Sequence, residues 1–497
     1  MIGNDAKCSH IKPTIVIVGA GICGLISALA LSKTGHSIRL LERDKPPPDG
    51  DADTAFFDWP RRGAAQFRHP HAFLGLMCNL IADNYPDLLS DFYAAGARKL
   101  PFVEMLPPAV LGNYQPEPGD ERLWMLLCRR ATIETVLRRY VEQLDNVALE
   151  SERRVVGMLT QQRHNRLYAT GVRLQGEIDY PADIVIDASG RNSYFPQYFK
   201  DIGLPIREER HDAQIVYYTR HYRLKSGVEE PPRDPDRPTA GDLGYLKYGL
   251  FPGDHGNFAL ILCLPVGEAE LKNGIRNGAN FDRVCRNIPG LAPWIGDDQA
   301  TPTTEPFGIG AIHSVWRHYV EDNEPKALNF FAVGDAAART NPLYGRGCST
   351  GTLHAHILAR VLTEEADPLA RAQQFEEQTQ KQIRPIHKAS LAEDKRGIAR
   401  AEAASQGEIL DTTSTAKEWF GVAFGDALAA ASVLDLDVLR GLHRTINLLE
   451  PPGEFLKDGR IRRRVMRYML RGRKRNAAVR VQPGPSREEA YAIVREP

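Results

Sequence analysis

The stretch Thr14-Ile-Val-Ile-Val-Gly-Ala-Gly-Ile-Cys-Gly24 and, one helix length later, Ile38-Arg-Leu-Leu-Glu-Arg43 read as strand, glycine turn, helix and a second strand with an acidic end. Ile15 to Val18 is an unbroken apolar run, the pattern of a strand buried on both faces of a parallel sheet. Gly19 and Gly21 allow a tight turn and close approach of backbone to a pyrophosphate, and Gly24 lets the helix lie close on the sheet. Ile22, Leu25, Ile26 and Leu29 recur at helical spacing. Glu42 stands 18 residues past Gly24, with Arg43 beside it. A carboxylate there accepts both hydroxyls of an adenosine ribose, so the whole unit predicts dinucleotide binding. The rival is an apolar membrane anchor over Ile15 to Leu31; its glycines, its short length and the charged strand that follows disfavour it.

A chain of 497 residues is too long for one simple core, so two or three domains are expected. Lys plus Arg and Asp plus Glu balance at 63 each, which removes any global charge argument for nucleic acid. No secretory signal is seen, and the chain reads as a soluble cytoplasmic protein. The cysteines, at 8, 23, 78, 128, 263, 285 and 348, form no CxxC pair, so neither a metal site nor a disulfide framework is indicated.

Further along, Ile133, Val136, Leu137, Tyr140, Val141 and Leu144 stripe a helix from about Arg130, with Arg130 and Glu134 as an i,i+4 pair. Strand-like pieces follow at 153–159, 167–174 and 182–186, the last running into Asp187-Ala-Ser-Gly190. Residues 205–320 change character. Ile215 to Leu224 alternates like a sheet with two different faces, and Tyr245 to Phe251 with Asn257 to Leu264 reads as a hairpin. The buried pattern returns at Leu328-Asn-Phe-Phe-Ala-Val333, and a helix starts near Gly347. From about 370 the chain reads as helical and polar.

The returning strand leads into Gly334-Asp-Ala-Ala-Ala-Arg-Thr-Asn-Pro-Leu-Tyr-Gly-Arg-Gly347. The N-terminal GxGxxG…ER, the middle DxSG and this GD…P…GxG together resemble the flavoprotein monooxygenase superfamily with the p-hydroxybenzoate hydroxylase fold. The resemblance covers roughly residues 13–370 and implies FAD as cofactor. It implies an α/β fold: a Rossmann-like FAD-binding domain over 13–90, 125–204 and 321–370. An antiparallel β substrate domain over 205–320 interrupts it, and a C-terminal helical region over 371–497 closes it. It implies that Asp335 holds the ribityl chain and that Pro342 to Gly347, including Gly345, lies along the isoalloxazine. A helix N-terminus there suits the negative charge of a reduced flavin. Pro60-Arg-Arg-Gly-Ala-Ala-Gln-Phe-Arg-His-Pro-His-Ala-Phe73 is similar to a stretch beside the flavin in bacterial relatives of polyketide epoxidases. By that likeness Arg62 and Arg130 join the cofactor set, against the bland reading of a solvated loop and a helix-surface ion pair.

The sequence also departs from the family. Asp187-Ala-Ser-Gly190 replaces the usual DG, and Ala338 replaces a frequent His. The electron donor is therefore left between NAD(P)H and a reductase partner. The halogenase WxWxIP motif is absent from all five Trp contexts. The resemblance implies a monooxygenase that hydroxylates or epoxidises an apolar small molecule with O2, through a flavin C4a-hydroperoxide. The alternatives are a flavin-dependent reductase or dehydrogenase of a prenyl or lipid chain, and a non-catalytic flavin-binding module. No protein nucleophile is required, and no catalytic residue is assigned. Tyr217, Tyr218, Arg220, Tyr222, His69 and His71 are positioning candidates only. Finally, residues 460–475 are densely basic, and Ile461, Val465, Met466, Met469 and Leu470 would line one helix face. Such a helix fits either peripheral contact with an anionic membrane or a solvated domain cap.

Overall fold

The computed structural model describes residues 13–234, 236–406, 415–479 and 483–495. Strand β1 (Thr14–Val18), helix α1 (Ile22–Ser32) and strand β2 (Ser37–Leu41) form at the glycine motif. Helix α2 (Arg130–Glu142) leads to β3 (Val147–Glu150), and β4 (Ile184–Asp187) carries the middle motif. Beyond these come β5 (Ile215–Leu224), β6 (Lys247–Pro252), β7 (Asn257–Pro265) and β8 (Phe330–Ala332). The parallel sheet runs β8-β4-β1-β2-β3. Alternate residues of β1 enter different cores: Ile15 and Ile17 pack with Leu25, Leu29, Ile133 and Leu137, while Val16 and Val18 pack with Val185, Phe195 and Phe330. That double burial is why the strand is apolar throughout.

The expected hairpin is present, with β6 paired to β7 and β7 to β5, all antiparallel. The two faces of β5 differ as its alternation implied. Tyr218 and Tyr222 enter a core with Phe258 and Trp294, and Arg220 is tied to Asp282 at 2.8 Å. Tyr217 faces the other way, among Ala213, Ile261 and Cys263.

The third motif opens helix α3 (Gly347–Glu364), and α4 (Arg384–Ser405), α5 (Ala416–Leu434) and α6 (Gly459–Met469) follow. The expected single apolar face of the basic segment is divided. Ile461 and Val465 are buried against Ala427, Ala431, Val438 and Phe455, with Met469 alongside, and Met466 and Leu470 are exposed. Packing on α5 takes the larger part of that face. Among the described residues no helix is long and apolar enough to cross a membrane. Ile15 to Leu31 is split into strand and helix, so it is no anchor.

Candidate functional site

The ends of β1, β2 and β4 and the starts of α1 and α3 surround a cleft of about 390 Å³. Gly19, Gly21, Glu42, Arg43, Arg130, Asp335, Pro342, Gly345 and Gly347 all line it. The three glycines of the first motif do different jobs. Gly19 has φ +103°, and a Cβ there would lie 2.7 Å from the Ala188 carbonyl oxygen. A Cβ on Gly24 would lie 1.8 Å from the Gly19 oxygen, so this glycine sets the helix against the turn and does not line the cleft. Gly21 has nothing within 4 Å of such a Cβ: its missing side chain faces the cleft itself. Of the three, Gly21 is the one whose missing side chain leaves open space rather than satisfying a close backbone contact.

Glu42 is 4% exposed and already engaged. Its carboxylate accepts the backbone N–H groups of Ala20 and Asp44, both at 2.9 Å, and pairs with Arg61 at 2.9 Å. A ribose would share Glu42 with these partners, using its remaining lone pairs. Arg61 is the residue that sequence reasoning missed. It joins Glu42, Asp44 at 3.2 Å and Glu134 at 3.0 Å, and it donates to the Ala20 carbonyl at 2.7 Å. Glu134 also pairs with Arg130 at 2.5 Å. Burial alone would raise the Glu134 carboxyl, but Arg130 and Arg61 outweigh it and hold it below the ordinary range. The charged knot locks the strand end, the Pro60–Phe73 segment and α2 around the cleft. Arg62, in contrast, is exposed and does not line the cleft. The turn at Trp59 to Ala64 sends one of the two adjacent arginines inward, and that one is Arg61.

Asp335 differs from every other acid in the cleft. Among the described residues, its carboxylate accepts no protein hydrogen bond and forms no ion pair. Burial raises its pKa, and Arg339, Arg130, Arg191 and Arg317 oppose this without cancelling it. Asp187 of the middle motif is by comparison satisfied: 0% exposed, it accepts from the Ser189 amide and from the hydroxyls of Ser189 and Ser193. Arg346 precedes α3 without capping it by a side-chain hydrogen bond, and Gly347 and Cys348 line the cleft. Together with the start of α1, two helix N-termini converge on one space, an arrangement that favours anions. Burial pushes the Cys348 thiol up to about 11, so it is no thiolate nucleophile at neutral pH.

Of the two candidate histidines, only His71 lines the cleft. Its Nδ1 lies 2.8 Å from the His69 carbonyl, so Nδ1 carries the proton and Nε2 is left as an acceptor, 3.5 Å from Arg130. Burial, then the Arg130 charge, lowers its pKa to about 3. His69 is turned to the Thr219 hydroxyl at 2.8 Å. Near Asp335 stands a cluster of arginines, in which Arg317 is paired with Glu208 at 2.6 Å and only Arg191 lines the cleft. Arg210, Val315 and Arg339 are register partners, and Arg317 is two residues from Val315, so the three arginines share a sheet face. Arg191, from the turn after β4, joins them. Burial and the arginines at 191, 317 and 210 bring the Arg339 pKa down to about 10, although Asp335 pulls it the other way.

Residues 17–78 match the family model described as an NAD(P)-binding Rossmann-like domain. The chain is 27% identical to Protein Rv3254 of Mycobacterium tuberculosis over 377 residues, covering 71% of this chain and 73% of that protein. It is 23% identical to 6-hydroxy-3-succinoylpyridine 3-monooxygenase HspB of Pseudomonas putida over 364 residues, covering 71% and 80%. It resembles the crystal structure of p-nitrophenol 4-monooxygenase PnpA from Pseudomonas putida with a TM-score of 0.56 at 17% identity, covering 89% of this chain and 99% of that one. The dinucleotide motif, the parallel sheet interrupted by an antiparallel one and these likenesses give the chain the fold of the flavin-dependent monooxygenases.

Proposed function

We propose that the chain is an FAD-dependent monooxygenase that hydroxylates or epoxidises an apolar small molecule. The observation that carries this reading is the Asp335 carboxylate, without a partner among the described residues and set in a cleft that the open side of Gly21 and two helix N-termini also face. Gly19, Gly21 and the start of α1 would take the pyrophosphate, Glu42 and Arg43 the adenosine end, and Asp335 a ribityl hydroxyl. Pro342, Gly345 and Gly347 would border the ring, with His71 and Arg130 opposite. FAD in that place supplies activation of O2, and the protein binds, orients and excludes water. The monooxygenase names of HspB and PnpA favour oxygen insertion over reduction of a lipid chain. The arginines at 191, 210 and 339 suit the phosphates of NAD(P)H as electron donor, since like charges held together are relieved by an anion, whereas Arg317 is already paired with Glu208.

The test is to reduce the FAD-loaded protein without O2 and then add ¹⁸O₂ with a panel of phenols and alkenes. Product carrying one ¹⁸O supports the proposal; product formed without label supports a reductase. Peripheral membrane contact would rest on exposed Met466 and Leu470 with the arginines of α6. Unchanged sedimentation with phosphatidylserine vesicles after Leu470→Asp with Met466→Asp removes that contact.

A further inference from the structure

A second cavity, of about 320 Å³, lies between the antiparallel sheet and α4, walled by Leu343 and Tyr344 of the segment that borders the first cleft. Helix α4 presents Asp394, Ile398 and Ala401 to it, at the spacing of one helix face, and the sheet presents Ile215 and Cys263. The walls are mostly apolar. Charged side chains also line it, and of these Asp242 pairs with Lys247 and Glu268 with Arg487, each at 3.0 Å; Asp394 is 8% exposed, and among the described residues no cation lies within ion-pair distance of it. Its Oδ1 accepts from the Asn341 amide at 2.7 Å and the Tyr344 hydroxyl at 2.9 Å, while Oδ2 accepts only from the Ser314 hydroxyl, at 3.3 Å. A carboxylate offers about four acceptor sites. Three are used here, one of them at a long distance, and the group lines a cavity. A buried carboxylate short of donors is costly, and a ligand that brings one relieves that cost.

We propose that this cavity holds the substrate, and that Asp394 selects an apolar molecule carrying one O–H or N–H donor. The proposal rests on the monooxygenase reading and narrows its substrate class. It also gives Asp394 a positioning role. By accepting from Asn341 and Tyr344, the carboxylate fixes the segment shared by the two cavities, so substrate and cofactor sit against one wall. An unsubstituted hydrocarbon of equal size leaves the Oδ2 site empty and binds less well. The volume suits a molecule of about two fused rings.

The experiment uses the full-length FAD-loaded protein and two probes of near-equal shape, 2-naphthol and its methyl ether, titrated by calorimetry. The expected result is that 2-naphthol binds about tenfold or more tightly than the ether, as expected when a charged acceptor is satisfied. Asp394→Asn, which keeps an acceptor for Asn341 and Tyr344, reduces that ratio severalfold. Ala401→Phe, which fills the cavity from α4, abolishes binding of both probes. The proposal is overturned by equal affinities in the parent protein, by an unchanged ratio in Asp394→Asn, by full binding in Ala401→Phe, or by no saturable binding of 2-naphthol. The flavin spectrum is recorded on the same samples. Loss of FAD from the parent would count against the monooxygenase reading, whereas intact FAD with indifferent probes counts against the substrate cavity alone.

Discussion

Replacing Asp335 by alanine separates a cofactor role from a structural one, because the two predict opposite effects on the empty protein. The carboxylate accepts no hydrogen bond from the described residues, so its removal takes away no cap and no turn contact. Burial outweighs the surrounding arginines in setting its pKa, so the charged group is a net cost to the protein without ligand. Asp335→Ala should therefore leave the melting temperature of the FAD-free form unchanged or raise it. In the FAD complex the same substitution removes an acceptor for a ribityl hydroxyl. A hydrogen bond to a charged group contributes about 1.5–3 kcal/mol. The FAD dissociation constant should then rise by about ten- to a hundredfold. Flavin fluorescence quenching gives the affinity, and melting curves with and without FAD give the stabilities. An unchanged FAD affinity with an earlier-melting empty form would refute the reasoning and return Asp335 to a capping role.

Other expectations follow from the same geometry. Gly21→Val should abolish FAD binding without lowering the stability of the empty protein, whereas Gly24→Ala should destabilise both forms, since its Cβ would meet the Gly19 oxygen at 1.8 Å; melting curves and flavin content distinguish them. Burial lowers His69, His71 and His354 to about 3, and His221 and His387 to about 4, against an ordinary 6.5. The unfolded chain then binds more protons, so stability is full above pH 6.5 and falls as pH drops toward 4, by up to about 1.4 kcal/mol per pH unit for each group; denaturant titrations between pH 7 and 5 would reveal a flat profile if these rings were charged when folded. Arg210→Ala, outside the FAD cleft, should raise KM for NAD(P)H and leave FAD content intact, and an unchanged KM would remove the arginine cluster from donor binding.

The parts of the site that the sequence exposed are those whose constraint is local. Gly19, Gly21, Asp335, Pro342, Gly345 and Gly347 sit at strand ends and helix starts, where backbone geometry leaves few residue choices. Arg61 was hidden because its role comes from Glu42, Asp44 and Glu134, which only folding gathers around it. Arg61 and Arg62 are chemically identical neighbours, and no periodicity in the Pro60–Phe73 loop says which one turns inward. Asp394 lies on a polar helix with no motif, and its partners Ser314, Asn341 and Tyr344 are remote in the chain. The basic tail showed its charge in the sequence, but not that α5 would cover Ile461 and Val465.

The central claim is that the cleft holds FAD, and calorimetric titration of the flavin-free protein with FAD tests it most directly. The account predicts one FAD per chain, displaced by ADP, released intact by acid, and not bound at all by Gly21→Val. A cleft that takes up no FAD, or that binds NAD⁺ as tightly as FAD in the parent protein, would contradict it.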